Sequence, residues 1–249
     1  MGLPPGGTVP FRLLAGLGYR RRLERRDKLG VVIEVGPMPR KPRGVIVRSF
    51  VHVTAKGNRG VPLYHRDSDY RFFLSCLRDY AARDAVRVHA FCLLGNHFHL
   101  LVEATDTPVS KMMHTLLHRY AQYVNRIHRH WGHLFGDRFW ARVCSEEYDV
   151  LSVLRYVHLN PLRAGLVPRL ELYPWSSHRI YLGITGEPWV ATTILQSFHA
   201  DRNRAVAAYA EFVADGARVC AHREQDGTKE CQERPAQSPR SSAGRAADF

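Results

Sequence analysis

Stretches of alternating apolar and polar residues predict four strands in the middle of the chain. The segment VIVRSFVHVTA (45–55) is rich in β-branched residues and predicts a strand that ends at the turn KGNRG. Two further strands are predicted over VRVHAFCLL and HFHLLVE, and the dipeptide Gly95-Asn96 between them favours a hairpin turn. A shorter strand is predicted over ARVCS (141–145).

Apolar residues at helical spacing predict four helices around these strands. The first two cover residues 67–84 and 109–130. The third stops near Pro161, because a residue that precedes proline disfavours helical geometry. The last covers 191–216 and ends at Gly216. Together these elements predict an α+β domain with a largely antiparallel sheet and helices packed on it.

Composition changes near both ends and divides the chain into four parts. Residues 1–37 are rich in Gly, Pro and Arg and predict a disordered basic arm, with Met38 as an alternative start. Residues 38–190 form the predicted main domain, 191–219 a helical extension, and the polar segment 220–249 a disordered tail. No apolar run is long enough to span a bilayer, so no membrane partner is expected.

The charge balance points to a polyanionic partner. The 249 residues include 36 Lys and Arg against 23 Asp and Glu, which gives a formal net charge of +13. Nucleic acid is the simplest partner for such a protein, and a solvated basic surface or basic tails are the alternative. Five cysteines without a CxxC pair fit a reducing cytoplasm better than a disulfide framework.

The string FCLLGNHFHLLVE carries the most informative pattern. Side chains alternate along a strand, so His97 and His99 share one face and Phe98 lies on the other, apolar face. The two imidazoles are then close enough to share one divalent metal ion. The alternative is a pair of polar residues on an exposed face of the sheet. His52, on the first strand, is interpreted as a core or surface residue rather than a ligand.

The segment LRYVHLNPLRAGLV predicts a helix with Tyr156 and Asn160 one turn apart on one face. If this helix lies over the histidines, one hydroxyl, one amide oxygen and two imidazoles meet. That set suits phosphoryl transfer on DNA, because a metal withdraws charge from the phosphodiester and a tyrosyl ester conserves the bond energy for rejoining. Each residue also has a structural alternative when it is taken alone. Tyr156 could pack in the core, and Asn160 could end its helix.

Cations and aromatic rings are interleaved around the first strand and in the loop WGHLFGDRFW. Rings stack on bases while cations follow phosphates, so this mixture suits single-stranded DNA. The rings of Trp131, Phe135 and Phe139 have core packing as their alternative role. The candidate DNA-binding residues are Arg43, Arg48, Lys56, Arg59, Arg138, Trp140 and Arg142.

Three other tyrosines compete with Tyr156 for the role of nucleophile. Tyr148 precedes it by two turns of the same predicted helix. Tyr120 and Tyr123 lie on the long helix, where packing or base stacking suits them better. Tyr156 is favoured because the polar Asn160 follows it one turn later.

Four strings occur in order at suitable spacing, namely GNHFHLLVE, RYAQYVNRIHRHWGHLFGDRFWARV, LRYVHLNPLRAGLV and YPWSSHRIYLG. On these strings, the segment from Met38 to Gly183 resembles the single-tyrosine HUH (IS200-like) transposases, in particular the branch of REP-associated tyrosine transposases. The resemblance implies a ferredoxin-like (RRM-like) antiparallel sheet, the HUH endonuclease fold, acting on single-stranded DNA with hairpin-forming repeats. It also implies a cytoplasmic monomer or homodimer working on bacterial nucleoid DNA.

The resemblance further implies a role for each site residue. His97 and His99 match the two histidines of the HUH motif and would bind Mg²⁺ or Mn²⁺. Asn160 stands where the third, polar ligand is expected, although many relatives outside this branch have glutamine there. Tyr156 would be the nucleophile, and cleavage would leave a 5′-phosphotyrosine and a free 3′-hydroxyl.

Two other functions are compatible with the same residues. A protein of this fold could bind hairpin repeats without cleaving them, or it could be a metal-dependent phosphodiesterase that uses water. In both cases Tyr156 would be structural. A covalent adduct with DNA separates the transesterase from these two alternatives.

Overall fold

A computed structural model describes residues 46–225, with side chains to residue 218, and two short segments upstream, 24–26 and 32–34. The chain forms two compact units, 1–44 and 45–249. In the first unit, strand β1 (Glu24–Arg26) pairs antiparallel with β2 (Val32–Glu34). Strands β1 and β2 lie within the arm predicted to be disordered, and the last helix, Arg202–Gln225, extends into the predicted tail. Met38, Arg43 and residues 226–249 lie outside the described residues, so the start and the rest of the tail stay predictions.

The second unit carries a four-stranded sheet in the order β4-β5-β3-β6, with every neighbouring pair antiparallel. Strand, helix, strand, strand, helix and strand follow one another along the chain, so the predicted α+β, ferredoxin-like fold is confirmed. The elements are β3 (Ser49–Lys56), α1 (Asp67–Arg83), β4 (Arg87–Leu94), β5 (His97–Ala104), α2 (Val109–His128), β6 (Trp140–Cys144), α3 (Glu147–Arg163), α4 (His178–Tyr181) and α5 (Arg202–Gln225). No helix among residues 46–225 is both long and apolar enough to cross a bilayer.

The two faces of the sheet bury separate cores. Phe98 and Leu100 belong to the core shared with α1 and α2, which also contains Tyr120. Leu101 belongs to the core shared with α3 and α5, which also contains Val157. Because side chains alternate along β5, the histidines that flank Phe98 lie on the α3 side, as the alternation predicts.

A strap from Trp175 to Ala191 covers the outer edge of strand β4. The backbone N–H of Leu93 donates to the carbonyl oxygen of Trp175 at 2.9 Å, and that of Ala191 donates to Val88 at 2.8 Å. These bonds occupy groups that an edge strand would otherwise expose to another chain. The indole of Trp175 stacks on Tyr70 with 4.5 Å between ring centroids, which packs the start of the strap against α1.

A buried chain of hydrogen bonds joins α3 to α4 and α5. The Tyr209 hydroxyl lies 2.7 Å from His158 Nδ1 and 2.6 Å from His178 Nδ1. His158 Nε2 lies 2.7 Å from Ser177 Oγ, and all four residues are buried. Since His158 is two residues from Tyr156 on α3, this chain fixes the helix that carries the candidate nucleophile.

The bounds of two helices differ from their predicted positions. Helix α3 continues through Pro161 to Arg163, because a proline in the last turn removes only its own N–H bond, and the N–H of Ala164 still reaches the Asn160 carbonyl at 2.9 Å. Helix α5 begins at Arg202 and passes through Gly216. A Cβ at Gly216 would lie 2.7 Å from Cδ of Arg155, so this glycine lets α5 approach α3 instead of ending the helix.

We predict that Tyr209→Phe lowers the free energy of unfolding by about 1–3 kcal/mol, because it leaves two buried histidine nitrogens without their shared partner. Urea unfolding followed by circular dichroism measures the change. Tyr148→Phe is the matched control, since Tyr148 is 75% exposed and its change should stay within about 0.5 kcal/mol. Equal stability of the two variants would contradict the role given to Tyr209.

Candidate active site

The Tyr156 side chain reaches the histidine face of the sheet from α3. Its half-buried ring meets the ring of His99 edge-on, with 5.2 Å between centroids, and the ring of His52 at 5.7 Å. On the same helix, two turns on, the guanidinium carbon of Arg163 lies 5.2 Å from the Tyr156 ring centroid. Helix α3 therefore lies over the histidine face with Tyr156 against His99, which is the arrangement that the sequence analysis requires for a shared site.

Each histidine of the pair has one ring nitrogen engaged. His97 Nδ1 donates to Asn96 Oδ1 at 2.7 Å, since an amide oxygen can only accept. His99 Nδ1 lies 3.2 Å from His52 Nε2, so one of these two nitrogens donates and the other accepts. The two histidine rings stand perpendicular, 5.1 Å apart. When Nδ1 carries the proton on both rings, both Nε2 atoms have a lone pair for a ligand.

Burial keeps these imidazoles neutral. It lowers the pKa of His52 from 6.5 to about 4, with a further contribution from the charge of Arg142. It lowers the pKa of His99 well below 6.5, aided by His52 and His97. The pKa of His97 is also lowered, first by burial and then by Lys56. Neutral imidazole is the form that binds a metal ion, so the site is prepared for one near neutral pH.

Asn160 lies inside helix α3 and is buried, so its alternative role as a left-handed helix end is wrong. Its side-chain Nδ2 donates to the carbonyl oxygen of Tyr156 at 2.8 Å. This bond fixes the amide on the turn that follows the tyrosine and leaves Oδ1 as the atom that could act as a ligand.

The donor set fits a divalent metal ion. Two neutral imidazole nitrogens and one amide oxygen suit ions such as Mg²⁺ or Mn²⁺ when phosphate oxygens complete the coordination. Within the described part of the chain, no three residues among His, Cys, Asp and Glu are grouped to hold a metal. The Asn160 amide oxygen is the candidate for a third ligand beside the two imidazoles.

Four of the seven predicted DNA-binding residues line one open cleft beside His97. The cleft has a volume of about 640 Å³ and also includes Asn58 and Asp137. Trp140 is 38% exposed and lies edge-on to His52 at 5.5 Å. The four residues are Lys56, Arg59, Arg138 and Trp140.

Two other candidates, Arg48 and Arg142, do not line this cleft. Arg48 precedes the first residue of β3, at the opposite end of the strand from Lys56, and it pairs with Asp106 at 2.8 Å. Arg142 makes two hydrogen bonds to Asp149, at 2.7 and 2.8 Å, which join β6 to the first turn of α3. Phe139 is buried in the core, as its alternative role requires.

The competing tyrosines have other surroundings. Tyr120 is fully buried and donates to the carbonyl oxygen of Leu63 at 2.8 Å, and burial raises its pKa. Tyr123 donates to Asp69 at 3.0 Å. Tyr148 is exposed on the first turn of α3. Tyr156 alone among these four has a ring contact with His99 within the described residues.

Three residues of the site are not assigned to it from the sequence, namely His52, Asn96 and Arg163. His52 could have been found from β3, where Phe50, His52 and Thr54 alternate with the fully buried Val51 and Val53. Asn96 was interpreted only as a turn residue, although it orients His97. Arg163 was missed because the helix was predicted to stop near Pro161.

An antiparallel ferredoxin-like sheet with a histidine pair on one face and a tyrosine-bearing helix above it defines the HUH endonuclease fold. The family model described as "Transposase IS200 like" matches residues 51–160, from β3 to Asn160. The resemblance stated from the sequence is thus confirmed, and this segment is an IS200-like transposase domain. The matched segment accordingly belongs to the transposase class of enzymes.

Solved structures share the fold. The structure of a REP-associated tyrosine transposase bound to a REP hairpin has 17% identity and a TM-score of 0.51, covering 63% of this chain and 93% of that chain. A crystal structure described as a transposase from Deinococcus radiodurans R1 has 20% identity and a TM-score of 0.33, covering 48% of this chain and 95% of that chain. The second likeness is too weak to support a conclusion. No curated protein matches the chain.

We predict that the metal-free protein loses stability as the pH falls from 6.5 toward about 4. In this window His52 takes up a proton in the unfolded chain but stays neutral in the folded one, so protonation favours unfolding. In His52→Gln this titration is absent, and the free energy of unfolding should fall less steeply. Urea titrations at several pH values measure both slopes, and parallel curves would contradict the prediction.

Proposed function

We propose that this protein is a metal-dependent transesterase that nicks and rejoins single-stranded DNA at hairpins through a phosphotyrosine at Tyr156. The observation that carries the proposal is the contact of the Tyr156 ring with His99, 5.2 Å between centroids, within a segment that matches a transposase family. All the gathered residues come from one chain, so a monomer suffices, and a homodimer is the alternative. The compartment we infer is the cytoplasm.

The step exchanges one phosphodiester for another. The Tyr156 oxygen attacks the phosphorus of the scissile phosphate, a bond forms between them, and the bond from phosphorus to the 3′ oxygen breaks. The phenolic proton goes to solvent, and the departing 3′ oxygen takes up a proton. The product is a 5′-phosphotyrosine with a free 3′-hydroxyl, and attack by that or another 3′-hydroxyl reverses the step without ATP.

Nε2 of His97, Nε2 of His99 and Oδ1 of Asn160 would hold Mg²⁺ or Mn²⁺ in this proposal. A bound divalent ion supplies Lewis-acid withdrawal of charge from the phosphate oxygens. The chain's own contribution is orientation. The Asn96 and His52 contacts fix the two rings, and the bond from Asn160 to the Tyr156 carbonyl fixes the amide.

The Tyr156 ring contacts two histidine rings and a guanidinium group. The Arg163 guanidinium, 5.2 Å from the ring centroid, would favour the negative charge that develops on the phenol oxygen during attack. The buried Tyr209 chain keeps α3 from shifting, and a shift of about an ångström in such a helix costs much of the rate.

The cleft beside His97 is the proposed path of the DNA. Lys56, Arg59 and Arg138 supply three cations for phosphates, and the exposed edge of Trp140 supplies a ring for a base. A hairpin as the preferred substrate is supported by the similar solved structure, which is that of a transposase bound to a REP hairpin.

We predict that Tyr156→Phe abolishes the covalent adduct with a labelled single-stranded hairpin pool while hairpin binding persists. Removal of one hydroxyl eliminates the attacking oxygen and leaves the ring contacts. Denaturing gels with Mg²⁺ or Mn²⁺, and with a chelator, detect the adduct. Tyr148→Phe, on the same helix, is the matched control and should keep wild-type yield.

Two outcomes would contradict this assignment. An adduct that persists in Tyr156→Phe would place the nucleophile elsewhere. Cleavage by the wild-type protein without an adduct would favour a phosphodiesterase that uses water, and tight hairpin binding without cleavage would favour a binding protein.

We also predict that His52→Leu weakens Mn²⁺ binding by roughly 10–100-fold, since loss of the partner of a metal-bound histidine typically has this effect. In the proposed arrangement His99 Nδ1 donates to His52 Nε2, and leucine cannot accept that bond. Electron paramagnetic resonance titration of Mn²⁺ measures the affinity without DNA or turnover. His114→Leu, at an exposed position on α2, is the control, and equal affinities of the two variants would refute the role of His52.

A further inference from the structure

A second cleft, on the other face of the sheet, has the composition of a nucleotide site. It has a volume of about 290 Å³ and lies between α1 and the strap that covers β4. Three arginines and two tryptophans line it, together with one acidic residue. These six residues are Arg71, Arg78, Arg179, Trp175, Trp189 and Glu187.

The two indoles are rigid walls of this cleft. Trp175 stacks on Tyr70 with 9° between ring planes, and Trp189 stacks on Phe91 with 7° between planes and 5.7 Å between centroids. Trp189 Nε1 also donates to Glu187 at 3.0 Å. Each indole is thus fixed by a neighbouring ring while remaining half-buried at the cleft. Fixed aromatic walls lower the entropic cost of stacking a base.

The arginines give the cleft an excess of positive charge. Arg71 and Arg78 form ion pairs with exposed acidic neighbours, at 3.9 and 3.0 Å, and such pairs hold little energy. The guanidinium carbon of Arg71 also lies 5.9 Å from the centroid of the Trp175 ring. The Nε atom of Arg179 is buried without a hydrogen-bond partner among the described residues. Because that atom is buried, a phosphate in the cleft would be bound by the terminal nitrogens of the Arg179 guanidinium, which is a suitable donor for phosphate oxygens.

The cleft lies one strand away from the histidine pair. Phe91, at its floor, precedes Cys92, which is the cross-strand partner of His99. Because side chains alternate, Phe91 faces α1 while His99 faces α3. A strand of DNA that leaves the histidine face and passes over the strap on the outer edge of β4 would therefore reach this cleft.

We propose that this cleft binds one unpaired nucleotide of the single-stranded DNA that flanks the hairpin, with the base against the indoles and the phosphate on Arg179. This inference rests on the proposed function, because it takes DNA as the ligand. It adds an anchor for the flanking strand that is separate from the cleft beside His97.

The test compares one hairpin with single-stranded flanks and the same hairpin without them, by fluorescence anisotropy at several salt concentrations. Arg179→Gln should weaken binding of the flanked hairpin about tenfold and lower its salt slope by about 0.7, the value for one phosphate contact on a single strand. Binding of the hairpin without flanks should not change. Trp189→Leu should weaken the flanked hairpin in the same selective way.

Arg126→Gln removes one exposed charge from α2, outside the cleft, and serves as the control with unchanged affinity and slope. Wild-type affinity of Arg179→Gln for the flanked hairpin would overturn the proposal, as would an equal loss on both DNAs. A third outcome would also overturn the proposal. If free deoxyadenosine monophosphate quenches the tryptophan fluorescence while Arg179→Gln binds the flanked hairpin with wild-type affinity, the cleft binds a free nucleotide instead.

The two proposals fail separately. If Arg179→Gln forms the Tyr156 adduct at saturating DNA, the transesterase proposal stands, whatever the affinity of this variant for the flanked hairpin. If the wild-type protein forms no adduct, the selective affinity loss still decides whether the cleft binds DNA.

Discussion

The packing of α3 on the histidine face of the sheet is the constraint on which the site depends. Apolar residues of α3, such as Val157, bury against the strand residues that lie between the histidines and the edge of the sheet. The neighbouring Tyr156 is thereby held with its ring against His99 and His52. The hydrogen bonds of Tyr209 to His158 and His178 also fix this helix. These polar groups are buried away from water, so they depend on one another as partners.

Electrostatics at the site follows from this packing. Burial of His52 and His99 under α3 disfavours the imidazolium form and lowers the pKa of both side chains. The folded chain thus removes competing protons from the nitrogens that the proposal gives to a metal ion. The basic cleft beside His97 remains open, so an anionic strand can approach a site whose histidines are neutral.

Much of this arrangement could be predicted from local pattern. The period of two along β5 separates His97 and His99 from Phe98, and the helical period places Asn160 one turn after Tyr156. Contacts that depend on tertiary register could not be predicted in the same way. Arg142 looks like a DNA contact in the sequence, but Asp149 on the next helix binds it. Arg163 reaches Tyr156 only because α3 tolerates Pro161 in its last turn.

The most direct test of the central claim is to locate the nucleotide on the protein after reaction with a hairpin. Nuclease and trypsin digestion followed by mass spectrometry separates the two tyrosines of α3, since cleavage after Arg155 puts Tyr148 and Tyr156 on different peptides. The account predicts a nucleotide on the peptide YVHLNPLR, formed only with a divalent metal ion. A nucleotide on the peptide that contains Tyr148, or cleaved DNA with neither peptide modified, would contradict it.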